Sequence, residues 1–99
     1  MPGRTISNRF YYVYVLCSMK DQAFYIGFTS NLRTRMEQHQ FGGSLATAPR
    51  RPLKLVYYEA CLLESDARRR EKYFKDTGGR RFLAKRLKDY QRTNNSKLY

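Results

Sequence analysis

The feature that most constrains this chain is a pair of neighbouring apolar runs, Tyr12-Val13-Tyr14-Val15-Leu16 and Phe24-Tyr25-Ile26-Gly27-Phe28, separated by the mostly polar Ser18-Met19-Lys20-Asp21-Gln22. Aromatic and β-branched residues fit a pleated, half-buried surface, and a short polar break between two such runs closes a hairpin. Residues 10–29 are therefore expected to form two antiparallel strands. Alternation in the first puts Tyr12, Tyr14 and Leu16 on one face and Tyr11, Val13 and Val15 on the other. Gly27 interrupts the second run. A glycine inside a strand gives up packing and marks a bulge or the close approach of a backbone or ligand, and a phosphate group would be such a ligand.

The 99 residues suffice for one modest core and not for two. Within them, residues 1–9 read as a polar arm, 10–90 as the folded domain and 91–99 as a polar tail. Twenty Lys and Arg against eight Asp and Glu leave a net charge of +12. Such a field attracts polyanions, so nucleic acid is the first partner to consider and an anionic membrane the second. No apolar run approaches the roughly 20 residues that span a bilayer, and the N-terminus lacks the charged-then-apolar order of a signal peptide. A cytoplasmic protein is expected. Cys17 and Cys61 are not spaced as zinc ligands and read as buried free thiols.

After the hairpin, Ser30 or Asn31 can cap a helix in which Leu32, Met36 and His39 recur on one face, Arg35 lies on the flank and Arg33 and Glu37 face solvent. Gly42-Gly43 and two prolines make residues 41–52 a loop with a basic tip, Arg50-Arg51. Leu53 to Cys61 reads as a third strand, with Leu55, Tyr57 and Glu59 on one face and Val56, Tyr58 and Ala60 on the other. A second helix opens at Glu64 or Ser65, aligns Ala67, Glu71 and Phe74 in one stripe, and is expected to end at Gly78-Gly79. A third, from about Arg80 to Tyr90, turns Phe82, Leu83, Leu87 and Tyr90 inward and Arg80, Arg81, Lys85 and Lys88 outward. The tail from Gln91 is expected to fray.

Tyr14, Tyr25, Arg35 and Glu71 stand where a purely structural design would not place polar groups. Phosphodiester hydrolysis needs this set of types: a base for water, a cation against phosphoryl charge, and a divalent metal held by carboxylate. Glu71 could hold Mg²⁺, which takes one or two protein carboxylates and keeps several waters. Arg35 could grip phosphate with two parallel hydrogen bonds.

In order along the chain, Val13-Tyr14-Val15, Tyr25-Ile26-Gly27, Leu32-x-x-Arg35 followed by His39, and Glu71 within Arg68-Arg69-Arg70-Glu71-Lys72 resemble the GIY-YIG nuclease domain, in its small stand-alone form. Pro52 to Glu59 is similar to the third strand of such small members. The resemblance runs from about Tyr12 to Leu87. Its first triplet is Val-Tyr-Val in place of Gly-Ile-Tyr, and Gly79-Arg80-Arg81 stands where several members carry an asparagine.

The resemblance implies an α+β fold, a three-stranded antiparallel sheet flanked by about three helices, and a one-metal endonuclease using Mg²⁺ or Mn²⁺ on DNA, branched or damaged DNA included. It implies that Tyr14 is the general base, that Tyr25 orients water or a phosphate oxygen, and that Arg35 stabilises the transition state. His39 would position Tyr14 or relay its proton, and Glu71 would bind the metal. Gly27, Arg50, Arg51, Arg68, Arg69, Arg80, Arg81, Lys85 and Lys88 are the expected phosphate contacts.

Each residue also has an ordinary reading: half-buried strand tyrosines, an Arg35–Glu71 ion pair, a histidine against a helix dipole, a solvated basic face. A non-catalytic nucleic-acid-binding module, such as a subunit of a larger complex, and an RNA-directed nuclease are the alternatives.

Overall fold

The computed structural model describes residues 9–96; most of the expected N-terminal arm and the last three residues of the tail lie outside that range. Three antiparallel strands, β1 (Tyr11–Ser18), β2 (Phe24–Thr29) and β3 (Leu53–Cys61), form one sheet in the order β2-β1-β3. Among the described residues four α-helices follow the chain: α1 (Leu32–Gln40), α2 (Glu64–Lys75), α3 (Thr77–Arg86) and α4 (Lys88–Ser96). The expected α+β sheet and flanking helices are present, with one helix more than expected.

β1 is central and covered on both faces, which is why Val13 to Ser18 are all buried. The alternation read from the sequence holds, and it divides what was expected as a single core between the two faces of β1: Val13 and Val15 join Ala67, Phe74, Leu83 and Leu87 in one core, and Tyr14 and Leu16 join Leu53 in a smaller one. α2 and α3 close the first core. Leu32 and Met36 of α1 pack against the second. Cys17 and Cys61 are free thiols, the first buried and the second half-buried.

β3 departs from the expected alternation. Val15 pairs with Tyr57 and Leu16 with Leu55, so the register slips between them and Val56 is an extra residue. A bulge reverses the phase of a strand. Leu53 and Leu55 therefore join Tyr14, while Val56, Tyr57 and Cys61 pack on the other side. That side carries a polar brace. Arg70 donates to both carboxylate oxygens of Glu59 (2.8 and 3.0 Å), the Tyr57 hydroxyl donates to Glu59 at 2.8 Å, and the guanidinium lies 4.7 Å from the Phe74 and Phe82 ring centres. Burial pushes the Glu59 carboxyl up, yet the bonds from Arg70 and Tyr57 and the charges of Arg70 and Arg86 hold it below its ordinary 4.5. Arg70, next in the chain to the expected phosphate contacts Arg68 and Arg69, is thus a structural cation.

The helical boundaries differ too. α2 ends at Lys75, before extended Asp76, and Gly78 and Gly79 open α3 instead of closing α2. The reason is proximity. A Cβ on Gly79 would overlap the Tyr73 carbonyl and the Phe74 backbone, so glycine lets α3 fold back tightly on α2. Leu87 interrupts the expected third helix, and α4 continues to Ser96 where fraying was expected. Tyr90, beneath Lys54 at 5.7 Å, ties α4 to the body, and Gln91 lines a cavity together with Phe24 and Leu83.

Candidate active site

Tyr14 owes its setting to the central strand. Its partner across the ladder is Gly27, and a Cβ there would overlap the Tyr14 ring. The close approach that the glycine signalled is therefore that of this ring, with Gly27 also lining the cleft above it. α1 supplies the next groups. The Asn31 side chain accepts from Thr34 N at 3.1 Å and starts the helix; Leu32 and Met36 seat it, and Arg35 and His39 then fall beside the tyrosine.

The Tyr14 hydroxyl and His39 Nε2 lie 2.9 Å apart, Arg35 Nε donates to the same hydroxyl at 3.3 Å, and His39 Nδ1 lies 2.7 Å from Thr47 Oγ1. Tyr14, His39 and Thr47 are each at most 4% exposed. Burial, and secondarily the Arg35 charge, push the His39 pKa below its ordinary 6.5, so the imidazole is neutral at pH 7. A neutral imidazole has one donor and one acceptor. Because Arg35 already donates to the Tyr14 oxygen, we assign the phenol as donor to Nε2 and Nδ1–H as donor to Thr47, which gives the phenol and both ring nitrogens complementary partners. Arg35 Nη1 donates to Gln38 at 2.9 Å, and the rest of its fork is left for the cleft.

That cleft, about 260 Å³, is lined by Tyr14, Tyr25, Gly27, Arg35, His39, Thr47 and Glu71 among others. Tyr25 pairs with Leu16 in the ladder, two positions from Gly27, and so shares the Tyr14 face. Glu71 comes from α2, held between buried Ala67 and Phe74. Its Oε2 accepts from Lys75 at 3.0 Å, and it is the one carboxylate among the cleft's lining residues. Arg35 and Glu71 share the cleft but form no ion pair with each other, each having other partners. The structure thus brings together all five residues singled out as catalytic from the sequence.

The model of the GIY-YIG catalytic domain matches residues 10–85, more than half of the chain. This protein belongs to the GIY-YIG family. The chain is 43% identical over 65 residues to a UPF0213 protein of Clostridium perfringens, covering 65% of this chain and 69% of that one. It is 45% identical over 69 residues to a UPF0213 protein of Limosilactobacillus reuteri (66% and 70%), and 39% identical over 70 residues to the UPF0213 protein YazA of Bacillus subtilis (70% and 68%). No solved structure matches significantly. The GIY-YIG domain is a nuclease domain, and no helix among the described residues is long and apolar enough to cross a membrane.

Within this GIY-YIG domain the expected phosphate contacts are dispersed, and only Gly27 lines the cleft. Arg50 pairs with Asp21 at 3.3 Å, and Arg51 donates to the Ala48 and Gln40 carbonyls. Arg68 and Arg69 pair with Glu64 and Asp66 within α2. Arg80, Arg81, Lys85 and Lys88 are exposed on α3 and α4. Thr47 is the residue that sequence reasoning missed. It lies in a loop without periodicity, and nothing in its spacing from His39 tells that the loop returns to the imidazole.

Proposed function

We propose that this GIY-YIG protein is a divalent-metal-dependent endonuclease that hydrolyses phosphodiester bonds in DNA. One observation carries the reading: a buried phenol bonded to both a neutral imidazole and a guanidinium, on the floor of a cleft whose wall holds a carboxylate. A buried tyrosine that served only packing would be satisfied by one hydrogen-bond partner, whereas this one has two, a proton acceptor and a cation.

In this reading the attacking water gives its proton to the Tyr14 oxygen as the phenol passes its own to His39 Nε2, and the Thr47 contact keeps Nε2 the accepting nitrogen. Arg35 steadies the Tyr14 oxygen through Nε and turns its remaining donors to the phosphoryl oxygens, where charge builds. Tyr25 holds water or a phosphate oxygen from the same face.

The residues present fit a hard cation. Glu71 offers one carboxylate oxygen not bonded to Lys75, and the exposed i,i+4 pair contributes only a few tenths of a kcal/mol, so a cation displaces it readily. Among the described residues no group of three or more His, Cys, Asp or Glu would build an all-protein cage; Mg²⁺ or Mn²⁺ held by one carboxylate, water and substrate phosphate suits that. When bound, the ion supplies positive charge against the phosphoryl oxygens.

The test is single-turnover cleavage of branched DNA, duplex DNA and RNA with Mg²⁺ or Mn²⁺. Tyr14→Phe should stay folded, bind DNA as wild type does, and lose about 100-fold or more in rate, whereas Tyr12→Phe should be nearly silent. Glu71→Gln should bind but not cleave. Equal rates for the two tyrosine variants, or full activity in excess chelator, would refute the mechanism.

A further inference from the structure

The two most exposed large hydrophobic side chains among the described residues are Leu45 (92%) and Phe41 (82%), and both belong to the loop that closes the cleft. Ser44, Ala46 and Thr47 of that loop line the cleft wall, so Leu45, between them in the chain, stands at its rim. Phe41 directly follows α1, two residues beyond His39. The loop is not slack. Gly42 N bonds to His39 O, Gly43 N to Gln38 O (2.8 Å) and Ala48 N to Ser44 O (2.9 Å), and the Arg51 guanidinium lies against Gly42 while bonding to the Ala48 and Gln40 carbonyls. A braced loop therefore holds two apolar groups in water, where they do nothing for the core.

The loop itself has cations beside it, Arg35 lining the same cleft as Ser44, Ala46 and Thr47, and Arg51 lying against Gly42, on a chain of net charge +12. Apolar or aromatic groups interleaved with cations are the pattern that binds unpaired nucleotides, the rings stacking on base faces while the cations follow the backbone. Two side chains fall well short of the roughly 800 Å² per partner that a stable protein interface needs. A continuous duplex buries its base faces in its own stack and opens them to such a loop only at the cost of unstacking a step.

We propose that Phe41 and Leu45 contact unstacked bases next to a phosphate seated at Tyr14 and Arg35, which makes nucleic acid with unpaired nucleotides at the cleavage point the preferred substrate class. The inference rests on the nuclease reading for the seated phosphate, and its test is one of binding.

The chain has no tryptophan, so Phe41→Trp introduces a single indole whose emission a stacked base quenches. In chelator, titration with a single-stranded oligothymidylate should quench it, and a blunt duplex of the same length should not. The double variant Phe41→Ala/Leu45→Ala should lose at least about fivefold in affinity for the single strand, the lower end for one base–aromatic stack, with melting temperature and duplex affinity unchanged. Equal losses on both nucleic acids, no loss on either, absence of quenching, or a change of sedimentation that marks the patch as a contact between copies would overturn the inference. Stacking without cleavage by wild type, when metal is restored, would remove the nuclease reading and leave the binding site standing.

Discussion

At the scale of single residues, hydrogen bonds link the chain from Arg35 through Tyr14 and His39 to Thr47, and its buried end is Thr47. Thr47→Val keeps the shape but leaves Nδ1–H without its acceptor, which should cost about 1–3 kcal/mol and free the imidazole to take the other tautomer. Cleavage should fall while DNA affinity holds, and Thr47→Ser should restore it; unchanged cleavage in the valine variant would remove the relay. His39 adds a pH signature. Its folded pKa lies below the ordinary 6.5 through burial and Arg35, so on acidification the unfolded chain takes up the proton first. The stability linked to His39 is complete above pH 6.5 and is lost as pH falls through the lowered value. Chemical denaturation should show wild type losing more stability below pH 6.5 than His39→Gln, well before Glu59, held below 4.5, begins to titrate. Cleavage should share that acid limb, since a protonated imidazole cannot accept from Tyr14.

At the scale of elements, three glycines separate three kinds of close approach. At Gly27 an added Cβ meets the buried Tyr14 ring, so Gly27→Ala should move the phenol off His39. That should cost about 1–3 kcal/mol by overpacking and at least about tenfold in cleavage, the scale of a misplaced reacting group. At Gly79 the added carbon meets backbone of Tyr73 and Phe74, which cannot rotate away, so Gly79→Ala should be the most destabilising of the three by forcing α3 off α2. At Gly78 the nearest atom is a Tyr73 ring carbon at 3.5 Å, an ordinary contact. Gly78→Ala should be neutral or gain up to about 1 kcal/mol from helix propensity. Thermal melts of the three variants test the order, and a Gly79→Ala variant as stable as Gly78→Ala would contradict the α2–α3 packing.

At the scale of the whole molecule, the charge is spread over the surface away from the cleft. Six of the eight acidic residues already pair with neighbouring Arg or Lys, so the positive excess lies in cations such as Arg80, Arg81, Lys85 and Lys88, all exposed on α3 and α4. If DNA reaches that face, replacing these four by alanine should lower the slope of log affinity against log salt by about one per lost phosphate contact. Cleavage at saturating DNA should persist, because none of the four lines the cleft. An unchanged slope would place the DNA path elsewhere.

The strand alternation of β1, the helical stripe of α1 and the Ala67-Glu71-Phe74 stripe were legible because their periods, two and 3.6 residues, are properties of the local chain. Those periods, with the motif order, were enough to single out Tyr14, Tyr25, Arg35, His39 and Glu71 and to place each on an element. What they could not reach depends on contacts between distant segments. The bulge at Val56 arises only when β3 pairs with β1. Gly79 reads as a helix stop until α3 lies against Tyr73, and Thr47 acquires a role only when its loop returns to the imidazole. Arg70 is indistinguishable from Arg68 and Arg69 in the sequence, and it becomes structural because Glu59, eleven residues away on β3, meets it where α2 packs on the sheet. Local periodicity thus determined which residues could share a face, and tertiary packing decided which of them meet.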